Sequence, residues 1–445
     1  MESLKMNSIP ERLSARYKGT FAYFTIRDRL PVTLTRVIDG LSRKISKLKA
    51  EHNEDVAEDA IGIISKLSKL RNEMQTNKEI PELNDEFEDL PIWNNYLRNA
   101  DQLQESERPL KWFTASWLFT ECYMYRGIFS AIMARQFLKS YDPYEEQKQQ
   151  SFRPEDNIYP SVIQLAMNAG RSAEKFSQLL QFSLWGNMFD LSLFGNVDVS
   201  TKLTTQLETI KSNILSNDDR QIYSSLEYRW HNVPTNQRRI DFVLDNIGPE
   251  FLFDLCLAEY LYRNNMANQI YFHVKSIPWF VSDVMLKDFF WQVETMKVAH
   301  NCPVISELGR KVHQYIQDGV WQIVEDSFWT TCHDYNDMRT IAPDLYNSLE
   351  KSSLVILKGD LNYRKLIGDR NWPHTYPFKQ ALRSFRPAPL AALRTIKADL
   401  VVGLADGVSD ELSKQDSNWM TCGKYGLIQF CDSKLLANSE MDASR

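Results

Sequence analysis

The sequence predicts an α/β protein: a Rossmann-like three-layer α/β/α core preceded by a mainly helical N-terminal bundle. Three observations predict it. Apolar residues recur at helical spacing through the first half, short β-branched runs alternate with helical stretches after residue 238, and polar loops follow several of those runs. Alternating strands and helices bury a mostly parallel sheet between two helical layers. The chain accordingly divides into a helical segment, 1–237, an α/β core, 238–435, and a flexible C-terminal tail, 436–445.

In the first half, Leu34, Val37, Ile38, Leu41, Ile45 and Leu48 fall three and four residues apart after Pro31, and Ile61, Ile64, Leu67 and Leu70 repeat the pattern. Both are amphipathic helical stripes of the kind that pack against their own domain. Residues 111–133 are apolar on most faces, which predicts a helix buried inside a bundle. A further helix over Ala173–Leu184 leads into SLWGNMFDLSLFGN, where Gly186 and Gly195 predict tight turns.

The second half reads strand, turn, helix. Residues 239–245 form a β-branched run, 246–250 a turn, and Phe251, Leu252, Leu255, Ala258 and Leu261 a helical stripe. Gln269–Val274 is a second strand, and 277–283 is a polar loop ahead of another helix. Runs at 320–324, 354–357, 391–397 and 427–430 continue the alternation.

With 445 residues, 43% of them hydrophobic and 25% charged, the chain can bury a large core. The 52 basic against 58 acidic residues give a net charge of −6, which argues against nucleic acid or an anionic membrane surface as partner. No apolar run reaches the roughly 18–20 residues of a membrane span, and MESLKMNSIPERLSARYKG lacks a signal-like apolar stretch. The expectation is an intracellular protein of cytoplasm or nucleus. The six cysteines form no CxxC pair and the seven histidines no HxH or HxxxH spacing, so a disulfide framework, a zinc site or a Ser/His/Asp triad is not predicted.

Ligands of open parallel sheets bind beyond the strand carboxyl ends. Three loops qualify: DNIG at 245–248, SD at 282–283 and GDLNYRK at 359–365. Asp245 and Asn246 end a buried strand, where polar groups must be paired, hydrated or coordinated. With Asp283 they offer two carboxylates and one amide oxygen, a donor set suited to a hard divalent cation. The residues alone leave this open against a second reading, in which Asp245 caps the following helix. GDLNYRK offers Asn362 and Tyr363 as donors and Arg364 and Lys365 as cations, or else a solvated turn with Asp360 as a helix cap. Arg394 and Lys397 add a basic pair three residues apart. No GxxxxGK[ST] or GxGxxG loop is present, and Ile247 stands where aspartyl-phosphate phosphatases place a second Asp.

Together FVLDNIGPE at 242–250, IPWFVSD at 277–283, LKGDLNYRKLIGDR at 357–370 and LRTIKAD at 393–399 resemble the damage-control phosphatases, formerly domain-of-unknown-function 89. Arg394-Thr395-Ile396-Lys397 matches the RTxK signature of the third subfamily. The likeness extends over GTFAYFTIRDRLP at 19–31, WLFTECYMYR at 117–126 and SLWGN at 183–187, while Pro249 stands where a larger apolar residue is expected.

The resemblance implies a metal (Mn²⁺, Ni²⁺, Co²⁺ or Mg²⁺) on Asp245, Asn246 and Asp283. It implies a substrate bound by Asp245, Asn246, Asp360, Leu361, Asn362, Tyr363, Arg364 and Lys397, with Asp245, Asp283, Asp360 and Lys397 catalytic. The implied reaction is hydrolysis of phosphorylated sugars such as fructose 1-phosphate and fructose 6-phosphate, in a damage-control role. The same likeness carries an alternative, S-adenosylmethionine-dependent methylation of protein Glu or Asp carboxylates, with Glu250 and Asp283 contacting the cofactor. Against it, the glycine-rich cofactor loop is missing.

Overall fold

The computed structural model describes residues 9–51, 54–99, 105, 107–156, 158–186 and 211–432, so the turn at Gly195 and the 436–445 tail lie outside the described residues. Seven strands make one sheet: β1 (Ile214–Asn217), β2 (Arg239–Val243), β3 (Gln269–Val274), β4 (Trp321–Glu325), β5 (Leu354–Lys358), β6 (Leu390–Thr395) and β7 (Gly426–Cys431). Their order is β1-β7-β6-β5-β2-β3-β4, and every pairing is parallel except β6 with β7.

Period-two alternation sends successive strand residues to opposite helical layers. One layer holds α1 (Leu30–Glu51), α2 (Glu54–Gln75) and α3 (Trp117–Met133). The other holds α4 (Tyr159–Asn168), α5 (Ala173–Trp185), α6 (Asp219–Asn232), α7 (Pro249–Arg263), α8 (Leu286–Lys297) and α9 (Pro303–Gln317). A further helix, α10 (Gly359–Ile367), returns to the first layer. Val243, Val355, Leu357 and Ala392 join the core of the first layer, whereas Ile240, Phe242, Ile356 and Leu393 join that of the second.

The N-terminal helices are therefore not a separate module. Their apolar residues and those of one sheet face form a single core. Residues before 238 build layers on both sides of the sheet and add the edge strand β1, which the reading of 1–237 as a mainly helical bundle did not place. Three other details differ from expectation. The run at 427–430 is antiparallel to β6, which it rejoins after a long connection, 396–425, that carries the helix Val408–Gln415. The helix within 111–133 begins only at Trp117, after Ser116. In α2 the buried stripe is Val56, Ala60, Ile63, Leu67, Leu70 and Met74, while Ile61 faces outward at 55% exposure. Among the described residues no helix is long and apolar enough to cross a membrane.

The chain runs from β2 outward to β3 and β4, then returns to the other side of β2 as β5. The β2/β5 boundary is thus the topological switch point, where crossovers diverge and leave a crevice. Asp245 and Gly359 follow these two strands.

The helical layer is anchored by Arg126 of α3, fully buried between the rings of Phe87 and Phe129. Its guanidinium bonds Asp89 at 2.7 Å and Asp85 at 2.8 Å, and both carboxylates are almost wholly out of water. Removing one partner strands the other charges in the interior. Arg126→Met is expected to lower stability by about 3–5 kcal/mol, measured as the shift in urea unfolding midpoint; a shift corresponding to under about 1 kcal/mol would show that the cluster is effectively solvated.

Candidate active site

Beyond the strand ends lies a cavity of about 610 Å³, within the range of small-molecule sites. Its floor comes from the 245–250 and 280–283 loops, the start of α10 and the 395–398 loop. Backbone bonds join the first two: Val284 N–H donates to Asp245 O at 2.9 Å, and Ile247 N–H to Ser282 O at 2.9 Å. Phe280 and Val281 adopt φ of 42° and 72°. For a β-branched residue this is a strained conformation, of the kind that persists where surrounding structure over-determines it.

Asp245 lies against α10. A Cβ on Gly359, whose φ is 85°, would fall 2.0 Å from Asp245 Oδ2, so only glycine permits this approach. Asn246 Nδ2 donates to Asp245 Oδ2 at 2.7 Å and to Glu250 Oε2 at 2.9 Å. This turns the amide oxygen toward Ser282, whose hydroxyl donates to it at 2.5 Å. Asp283 Oδ2 pairs with the buried Lys275 ammonium at 3.1 Å. Burial, then the negative charges of Glu250 and Asp283, push the Asp245 carboxyl well above its ordinary range. Burial likewise raises Asp283, although Lys275 opposes the shift.

Underneath sits a second charged cluster. Lys358, fully buried, bridges Glu250 at 3.1 Å and Asp254 at 3.0 Å. Burial alone would lower its pKa, but the two carboxylates outweigh burial and hold it above the usual value. Burial lifts Asp254 to about 7 against the pull of Lys358. Gly186 ends α5 against this cluster, where a Cβ would lie 2.4 Å from Glu250 Cα. The chain thereby fixes Glu250, which in turn fixes Asn246.

The RTxK residues divide their tasks. Arg394 is buried, donates from Nε to Asp360 Oδ1 at 2.8 Å and from Nη1 and Nη2 to the carbonyls of Leu400 and Ala398, and lies over the Tyr363 ring. Asp360 Oδ1 also accepts from the Lys397 N–H at 3.2 Å. Arg394 therefore shapes the loop, and Lys397 is presented to the cavity with an exposed side chain. Burial would raise the Asp360 carboxyl, but Arg394 and Arg364 outweigh it and keep it below its usual range.

The structure gathers Asp245, Asn246, Asp283, Asp360, Leu361, Arg364, Lys397 and Glu250 around one cavity. Two expected donors turn away. Asn362 bonds the Lys358 carbonyl at 2.7 Å and accepts from Tyr335, and Tyr363 donates to Gln429 at 2.8 Å. The helical phase of α10 directs both side chains into the core, since only one face of a helix can meet the cavity. Lys365 is likewise buried, donating to the carbonyls of Trp329 and Thr331. Arg364 reaches the cavity with its charge already matched, by Glu121 at 2.5 Å and Asp369 at 2.8 Å. Sequence spacing did not single out the opposite wall, built by Phe21, Arg29, Arg36, Trp117, Glu121 and Tyr125. A signal was present, because five of these six, all but Arg36, lie in the 19–31 and 117–126 stretches that carry the family likeness.

The donor set suits a divalent cation: two carboxylates and an amide oxygen, with crowded negative charge on Asp245 that a cation would relieve. Among the described residues there is no cluster of three or more His, Cys, Asp or Glu, so an all-carboxylate or His-based centre is not formed.

A mostly parallel sheet with oxygen donors, a helix N-terminus and a lysine at its switch point defines an α/β enzyme acting on a small anionic ligand. The Damage-control phosphatase ARMT1-like domain matches residues 25–412. The protein named Damage-control phosphatase ARMT1 is 44% identical in Mus musculus (96% of this chain, 99% of that protein), 42% in Danio rerio (95% and 97%) and 41% in Homo sapiens (96% and 99%). The chain belongs to the ARMT1-like damage-control phosphatase family and is an enzyme of the phosphatase class.

Because Gly359 leaves no room for a side chain, Gly359→Ala must displace Asp245 or α10. Turnover is expected to fall by about 100-fold or more with an unchanged far-UV circular dichroism spectrum. A variant with near-normal phosphate release would mean that the close approach is dispensable.

Proposed function

We propose that this chain hydrolyses the phosphate monoesters of small phosphorylated metabolites, sugar phosphates such as fructose 1-phosphate and fructose 6-phosphate, using a divalent cation held by Asp245, Asn246 and Asp283. The observation that carries this reading is the convergence of those oxygen donors, the α10 N-terminus and Lys397 on one cavity. Mn²⁺, Ni²⁺, Co²⁺ and Mg²⁺ all accept such donors. When bound, the cation supplies Lewis acidity and activates water for attack on phosphorus.

The chain's own groups do the rest. Free backbone N–H groups in the first turn of α10 face the phosphoryl oxygens, and the helix dipole favours their charge. Lys397 offsets charge that develops in the transition state. Asp360, held ionised by its arginine neighbours, accepts a hydrogen bond from a sugar hydroxyl and is poorly suited to donate a proton. Arg364 tightens the site through Glu121 and Asp369 and contributes little net charge. Under this reading the enzyme works in the cytoplasm or nucleus, which suits its six free cysteines. Methyl transfer from adenosylmethionine gains no support from geometry. Glu250, one of the two contacts that reading needs, is held by Asn246 and Lys358.

Chelation should stop phosphate release from fructose 1-phosphate, and re-adding one divalent metal should restore it. Asp245→Ala and Asp283→Ala should each abolish the metal-stimulated rate, and Lys397→Ala should lower kcat by about 10²–10³. Undiminished turnover in either aspartate variant would overturn the assignment.

A further inference from the structure

The cavity wall facing the strand ends carries two arginines that the chemistry above does not use. Arg29 closes a π-helical turn, Thr25–Arg29, and Arg36 lies seven residues on in α1. That spacing puts both on one helix face, two turns or about 10 Å apart. Val32 and Thr33, between them on the same face, also line the cavity. Wide π-turns inside helices frequently mark functional sites.

Charge accounting sets these two apart. The cavity's acids are largely matched within the protein: Asp28 by Arg27 at 2.6 Å, Glu121 by Arg364, Asp283 by Lys275, and Asp360 by Arg394. Among the described residues, neither the Arg29 nor the Arg36 guanidinium has a hydrogen-bond acceptor or a carboxylate within 4 Å; Arg29 feels Glu121 only at longer range, and Glu121 is already paired with Arg364. Arg29 rests over the Phe21 ring, 5.0 Å from its centroid, a placement that leaves its N–H groups free for a ligand. Lys397, on the sheet side, is the other cation lining the cavity with an unpaired side chain. At about 30 Å³ per water, the cavity would hold more waters than a hexose monophosphate has non-hydrogen atoms. Room remains beyond the phosphate that is cleaved.

We propose that Arg29 and Arg36 form a second anion subsite on the helical wall, which grips a second phosphate or carboxylate of the substrate. Metabolites anionic at both ends, such as sugar bisphosphates or phosphorylated sugar acids, then bind the cavity more tightly than fructose 1-phosphate or fructose 6-phosphate, which the site still accepts. Guanidinium side chains on one helix face can converge on a single group and bind it by charge-assisted hydrogen bonds. This inference rests on the phosphatase reading of the same cavity.

The test is calorimetry on the full-length, metal-loaded protein with two ligand pairs: fructose 1,6-bisphosphate against fructose 1-phosphate, and 6-phosphogluconate against glucose 6-phosphate. Phosphate release is measured in parallel. Wild type should bind the doubly anionic member of at least one pair about 10-fold tighter, and the pair that does so tells phosphate from carboxylate. R29Q/R36Q should lose that preference while its monophosphate Kd stays within about 3-fold; R29K/R36K should keep part of it. Both arginines are exposed, and an unchanged thermal midpoint will confirm folding. The proposal is overturned by equal wild-type affinities, by a preference that survives R29Q/R36Q, by equal losses on both members of a pair, or by no binding at all. A preference without phosphate release from any ligand would instead count against the phosphatase reading and leave the subsite standing.

Discussion

Where β2 and β5 part, the carboxylate of Asp245 occupies the space in which any residue but glycine at 359 would place its Cβ. That contact links the two crossovers that leave the switch point. It sets the carboxylate beside the first turn of α10, and the loop carrying Asp283 is hydrogen-bonded to the Asp245 backbone. An anion held this close to a helix N-terminus gains from the helix dipole, but it also competes with any anionic ligand for the same amides. A divalent cation on Asp245 would resolve the competition, because it would neutralise the carboxylate and attract a phosphate.

Electrostatic balance governs the surroundings. Lys358, Lys275, Arg364 and Arg394 are all buried, and all are spent on carboxylates or carbonyls that hold loops in place. Each pair is a poor source of net stability, since desolvation offsets most of the attraction, yet breaking one leaves a buried charge alone. Their effect is geometric: Lys358 fixes Glu250, Glu250 fixes Asn246, and Arg394 fixes the loop that carries Lys397. The cations left for a ligand sit at the cavity surface, on the sheet side and on the helical wall.

The local part of this arrangement was legible in the residues. A buried β-branched run ending in Asp245-Asn246, followed by a helical stripe, could only be a strand end feeding a crossover, and the sheet rule then pointed to the 245–248, 282–283 and 359–365 loops. Non-local choices were not legible. The pairing of β1 with β7 joins residues more than two hundred positions apart, and a run as short as Ile214–Asn217 carries too few residues to display a period. The inward turn of Asn362 and Tyr363 depends on the phase of α10, and the neutralisation of Arg364 depends on Glu121, which lies in another helix far back in the chain. Family likeness in 19–31 and 117–126 marked the helical wall without saying what it does, because a stretch of apolar helix reads as packing until its neighbours are known.

The central claim is that Asp245, Asn246 and Asp283 form a cation site whether or not substrate is present. Mn²⁺ binding followed by electron paramagnetic resonance tests it without relying on turnover. One bound equivalent per chain is expected in wild type, lost in Asp283→Ala and weakened in Asn246→Ala, with both variants folded. Unchanged stoichiometry and affinity in Asp283→Ala would contradict it.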